Sequence, residues 1–163
     1  MEKNTRRKTR LITESAMISA IYIVLCILFK PISFSFIQIR IAEMLTVLPY
    51  FTASAIPGVT IGCLLSNLLT GADIFDIIFG TLATLLGALG SYGLKKHRFL
   101  VPLPPVISNT LIIPFVLRFA YSEAQPLLFM MLTVGIGEIA ACYVLGLALL
   151  FLLNKYRNVI FRK

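Results

Sequence analysis

The sequence predicts an all-α fold, a polytopic membrane protein built as a six-helix bundle, and three observations carry that expectation. Hydrophobic residues make up 58% of the 163 positions and charged residues only 13%, about half of the roughly 25% found in soluble domains. Apolar runs of the order needed to cross a bilayer, about 20 residues, fill nearly the whole chain. The basic residues gather between those runs. The same composition excludes a disordered chain, which needs charge and few apolar residues. It also excludes a disulfide scaffold or a zinc site. The three cysteines (Cys26, Cys63, Cys142) lie inside apolar runs with no CxxC pair, and His97 is the one histidine.

The first run covers 11–29. It is too long for a signal-peptide core, and Lys30-Pro31 follows where small residues should precede a cleavage site, so it is expected to stay as a helix. The second covers 41–51 or a little more, and the third 55–69. Residues 41–70 admit one long helix or two short ones. Pro49 and Pro57 bracket 51–54, and a proline biases its predecessor away from the helix, so two short helices with a tight turn are expected. The fourth run covers 74–94. The fifth covers 100–117 and is expected to have a broken entry because of Pro102, Pro104 and Pro105. The sixth covers 126–153. The layout is thus a basic N-terminal segment (1–10), a membrane domain (11–153) and a basic C-terminal segment (154–163).

Charge gives the expected orientation. Twelve of the fifteen basic residues lie before the first run, after the fourth, or after the sixth. Positive residues stay on the cytoplasmic side. Both termini are therefore expected in the cytoplasm of a cell-membrane protein, which requires an even number of spans. The net charge of +8 then reflects topology and a lipid bilayer partner; no nucleic-acid partner is expected. No catalytic domain outside the membrane is expected, and no cofactor.

A charge in the bilayer centre costs roughly 2.5–3.5 kcal/mol on insertion scales, so each one needs a reason. Glu138 lies about twelve residues into the sixth run, roughly 18 Å deep at the helical rise, beside Gly135 and Gly137. Cys142 shares its face. Glu138 is read either as a ligand-binding acid or as an interhelical tie. Arg40 and Glu43, three apart, are read either as binding groups or as an interfacial ion pair. Asn109 lies mid-span in the fifth run, and Asn67 near the outer end of the third. Asp73 and Asp76 open the fourth, where acids complement a helix N-terminus. Asp73 reads as a cap, Asp76 as cap or ligand. Glu14, at the inner end, reads as a solvated interface residue. Most of these groups fall from mid-membrane outward, which predicts a pocket open to the outside. Phe34 and Phe36, in the outer loop, read as a lid or as interfacial anchors.

Small residues let helix backbones approach in lipid. Gly58-xxx-Gly62 on the third helix and Gly80, Thr84, Gly87 and Ser91 on the fourth are expected to pack internally. Ala16-xxx-Ala20, with Ser15 and Ser19, gives the first helix a smooth surface fit for internal packing or for docking another membrane protein.

Gln38-Ile-Arg-Ile-Ala-Glu-Met-Leu-Thr-Val-Leu-Pro49 resembles the QueT family, as do Gly62-Cys-Leu-Leu-Ser-Asn67, Asp76-Ile-Ile-Phe-Gly80, Pro104-Pro-Val-Ile-Ser-Asn109 and Gly135-Ile-Gly-Glu138. The six short spans and the Ala-xxx-Ala pattern resemble the S components of energy-coupling factor (ECF) transporters. The resemblance implies a six-helix bundle of the ECF S-component type that captures a queuosine precursor, a deazaguanine such as preQ1, preQ0 or queuine. It implies that Ala16 and Ala20 face a transmembrane coupling subunit carrying two ATPase subunits. This chain would then be no enzyme.

The residue chemistry is compatible. A carboxylate accepts two adjacent N–H donors of a guanine-like edge, a role assigned here to Glu138. Asn109 reads the base, Arg40 donates to the carbonyl, Glu43 or Asp76 meets an amine, and Phe34 or Phe36 stacks on the ring. Asn67 completes the candidate set. The alternatives are a stand-alone ion-coupled carrier titrating Glu138, an intramembrane enzyme, or a scaffold subunit without a ligand.

Overall fold

The computed structural model describes residues 2–30 and 39–157. Phe34 and Phe36 lie outside the described residues. Among the described residues all regular structure is helical: α1 (Glu2–Leu28), α2 (Ile41–Tyr50), α3 (Ala55–Thr70), α4 (Asp76–Gly93), α5 (Leu103–Ala120) and α6 (Leu127–Lys155). Four of these, α1 through its Thr5–Leu28 stretch, α4, α5 and α6, are long and apolar enough to cross a membrane, while α2 and α3 are shorter apolar helices. The two-helix reading of 41–70 holds, with the turn at 51–54.

Helix α2 is wound tighter than a sequence pattern reveals. It is a 3-10 helix of 10 residues with Pro49 inside, so it stretches to about 20 Å at a rise near 2.0 Å per residue. It touches α1, α3, α4 and the 139–155 part of α6. Seven of its residues are buried, Glu43 and Thr46 among them. A helix enclosed on nearly every side can hold polar side chains away from lipid, and α2 is the hub from which the site is built.

The small-residue stripes pack inside the bundle as expected. A Cβ on Gly58 would sit 2.9 Å from Ile18 Cβ, and one on Gly62 only 2.7 Å from Tyr22 Cβ. Those glycines set how close α3 comes to α1. Between them lies a core of Tyr22, Leu45, Leu48, Val59 and Cys63. Gly87 and Gly90 do the same for α4 against Pro105 and Pro104 of α5. The irregular entry expected for α5 falls at 100–102, which are turn residues. The helix starts regularly at Leu103 with Pro104 in its first turn, where a proline's missing N–H has no helical partner to lose. The prolines supply a ridge for the glycines of α4.

Two wide π turns interrupt the bundle. One, Asp76–Gly80, opens α4; the other, Ile139–Leu145, follows Glu138 within α6. Such turns are rare and recur at functional sites. Both begin beside an acid.

The two ends of the bundle differ. At one end Ser15 Oγ donates to the Ser54 carbonyl at 2.8 Å, and Val47, Val101 and Leu150 cluster. The start of α1, the 51–54 turn, the 94–102 loop and the end of α6 therefore meet there, with their basic residues. At the other end Lys30 Nζ donates to the Thr70 carbonyl at 3.1 Å. Gly71, left-handed at φ 72°, ends α3 there, a conformation glycine adopts without penalty.

Candidate functional site

The innermost layer is a polar cluster in the middle of the bundle. Glu43, Asn109 and Glu138 are 0%, 0% and 1% exposed. Tyr22 of α1 donates its hydroxyl to Glu43 Oε1 at 2.6 Å. Thr84 Oγ1 of α4 donates to the same oxygen at 2.9 Å and lies 3.3 Å from Cys63 Sγ. Thr46 Oγ1, one 3-10 turn beyond Glu43, bonds the Glu43 carbonyl at 2.6 Å. From α6, the Cys142 thiol points toward Glu138 Oε2 at 3.5 Å and the Glu43 carbonyl at 3.6 Å. That sulfur joins the two acids. Asn109 borders Glu138.

The cluster is under-satisfied. Glu43 Oε2 and both polar atoms of the Asn109 amide have no hydrogen-bond partner within the protein. A buried polar atom left alone costs about 1–3 kcal/mol. Three such atoms together in one core are poor design for a purely structural network.

Above it lies a second layer. The Arg40 guanidinium reaches Asn67 Oδ1 at 3.5 Å and Cys63 Sγ at 4.0 Å. Asn67 Nδ2 donates to the Asp76 carbonyl at 3.2 Å. Gly80 makes this convergence possible: a Cβ there would come within 2.8 Å of Asp76 Oδ1 and 3.3 Å of Asn67 Nδ2. Arg40, Asn67 and Asp76 line a cavity of about 170 Å³ whose rim carries Lys30, Tyr121 and Glu123. Tyr121 accepts the Asp73 N–H at 3.3 Å and donates to Asp76 Oδ2 at 3.2 Å. Burial pushes its phenol above the usual range, so it remains a donor at neutral pH.

Several expectations change against this geometry. The Arg40–Glu43 ion pair is replaced. Arg40 precedes α2 in a non-helical conformation (φ −83°, ψ 82°), so the i,i+3 face-sharing that the spacing suggests does not apply. Arg40 turns to α3 while Glu43 turns to α1 and α4. Glu14 is more than a solvated interface residue. It accepts from Arg10 Nε, Ser54 Oγ and Thr52 Oγ1 at 2.7, 2.7 and 3.0 Å, tying α1 to the 51–54 turn. Asp73 behaves as a cap, its Oδ1 accepting the Phe75 N–H at 2.8 Å. Ala16 and Ala20 are exposed on the face of α1 opposite the bundle, away from the cluster.

Sequence reasoning missed Tyr22, Cys63 and Thr84 as members of the cluster. Their signal was faint: a hydroxyl or thiol in an apolar run, spaced to face the core. Thr84 did lie on the small-residue stripe of α4, and Cys142 on the face of Glu138.

The arrangement offers acceptors (two buried carboxylates), an amide able to give and take hydrogen bonds, and a guanidinium, beneath a cavity. Such a set of groups can hold a small polar molecule through hydrogen bonds and charge. The family model for the QueT transporter matches residues 12–155. A Lactococcus lactis subsp. cremoris (strain MG1363) protein named Queuosine precursor transporter QueT is 37% identical over 83 residues, 50% of this chain and 48% of that protein. The match thus spans about half of that relative's length. No solved structure shows significant similarity. Every residue of the cluster and of the cavity wall falls within the matched region, and the chain belongs to the QueT transporter family.

Proposed function

We propose that the chain is the substrate-capture subunit of an ECF-type importer, binding a queuosine precursor from outside the cell. Transport inward would be driven by ATP hydrolysed on partner subunits. The observation that carries this reading is the under-satisfied buried cluster of Glu43, Asn109 and Glu138 lying beneath a cavity with Arg40, Asn67 and Asp76 on its wall. The positive-inside rule favours the basic end as cytoplasmic, so the cavity would open outward.

In this reading Glu138 accepts the paired N–H donors of a deazaguanine edge and Asn109 spends its free amide on the same edge. Arg40 donates to the base carbonyl, with Asn67 steadying the guanidinium. Glu43 stays tied to Tyr22 and Thr84 and adds negative potential beneath the base. The exposed Ala16 and Ala20 of α1 suit close approach by the coupling subunit, because small residues let backbones meet in lipid.

Equilibrium binding to the purified chain tests this. preQ1, preQ0 or queuine should bind while adenine does not. Failure of all three to bind would overturn the reading. Proton-driven uptake by the chain alone in liposomes would replace it with a stand-alone carrier.

A further inference from the structure

The site is acid-rich for the cations it contains. Three carboxylates lie in the buried cluster or on the cavity wall, Glu43, Glu138 and Asp76, and a fourth, Glu123, is exposed at the rim. Two cations face them, Arg40 and Lys30. Residues 31–38 carry no charge. Lys30 is turned to the Thr70 carbonyl, and at the rim Arg118 Nη1 is turned to the carbonyls of Glu123 and Gln125. Arg40 is divided between α3 and the acids. Buried charge of one sign is costly where the surroundings polarise weakly, and a ligand of the opposite sign relieves it.

The wall of α4 shows where that charge would go. Asp76, Gly80 and Thr84 recur every four residues and so share a face. Thr84 marks the level of the Glu43 carboxylate. Asp76 stands about two turns away, on the cavity wall. Gly80, lacking a side chain, leaves room for the Asp76 carboxylate to lie over it, beside Asn67 and Arg40, which brings that carboxylate a turn closer to the deep level. Tyr121 holds Asp76 by Oδ2. A flat base bound at the deep level thus has its far end beside a carboxylate.

We propose that this site selects a planar base bearing a protonated amine over its neutral analogue, with Asp76 receiving the ammonium group while Glu138 and Asn109 hold the base edge. The proposal rests on the capture reading above and deepens it by naming the charge class of the substrate.

preQ1 and preQ0 form a matched pair for the test, one bearing an aminomethyl group and the other a nitrile on the same base. Affinities for both are measured by calorimetry on the full chain in detergent at neutral pH. preQ1 should bind about tenfold tighter or more, the size of one charge-assisted hydrogen bond. Asp76→Asn should bring the ratio below about threefold through weaker preQ1 binding, with preQ0 nearly unchanged. Equal or tighter binding of preQ0 by the wild-type chain overturns the charge selection but leaves capture standing. Binding of neither overturns both. The wild-type ratio decides the question even if the variant does not fold. A preQ1 preference that survives Asp76→Asn intact removes Asp76 as its source.

Discussion

Two regions of this molecule bury carboxylates in opposite ways. At the basic end, Glu14 has a side chain still 25% exposed, yet it accepts from a guanidinium and two hydroxyls. In the middle of the bundle Glu138 is 1% exposed; the donor within bonding geometry is a thiol at 3.5 Å, with the Asn109 amide beside it but not bonded. Thiols are weak donors. Glu43, also fully buried, has one oxygen without a partner. Desolvation costs rise with depth, so stability alone would place the best donors deepest. The reverse distribution separates a carboxylate that joins helices from carboxylates left with unused hydrogen-bonding capacity.

The sharpest way to break this contrast is Glu138→Gln, which keeps volume and removes charge. If Glu138 is a recognition group, precursor affinity should fall about 100-fold, the size of two charge-assisted bonds weakened together. The thermal midpoint in detergent should hold or rise, because a poorly paired buried charge has gone. Calorimetry and thermal unfolding on the same preparation read both quantities. A large drop in midpoint with affinity preserved would make Glu138 another Glu14.

The converse substitution is Glu14→Ala. It strands Thr52 and Ser54 and unties α1 from the 51–54 turn, and should cost about 1–3 kcal/mol of stability. Binding should stay within about twofold, since distant sites act independently. Denaturation in mixed micelles together with a binding isotherm checks the pair. Lost affinity at preserved stability would show that the two ends are coupled.

How much of this was legible beforehand follows the range of the interactions. The long spans, the shared end of the basic segments and the contact role of Gly58 and Gly62 are written in local composition and spacing. Glu138 and Asn109 stood out because lipid makes any mid-span polar group conspicuous. The winding of α2 did not, because a 3-10 helix of this length is sustained by the helices around it, with no local pattern to announce it. That winding, with Arg40 left outside the helix, is why the Arg40–Glu43 pairing misled. The π turn after Glu138 was equally silent, since it changes the hydrogen-bond register without changing residue types. Tyr22 and Thr84 converge on one oxygen of Glu43 from sequence positions far apart, a fact only tertiary structure holds.

Tyr22 is where the two regions meet, and it carries the smallest predicted effect. It lies on α1, eight residues beyond Glu14, so one rigid helix connects the satisfied acid to the under-satisfied cluster. Its ring packs on Gly62 and its hydroxyl holds Glu43. Tyr22→Phe keeps the ring contact and removes the hydrogen bond, leaving Thr84 as the remaining donor to Oε1. Stability should fall by about 1 kcal/mol. Affinity should fall about threefold to tenfold, because Glu43 then moves within the cluster while Glu138 and Asn109 keep their places. Calorimetry beside a thermal shift separates the two. An affinity loss as large as that of Glu138→Gln would move Glu43 from a supporting acid to the principal one, and with it the boundary between the regions.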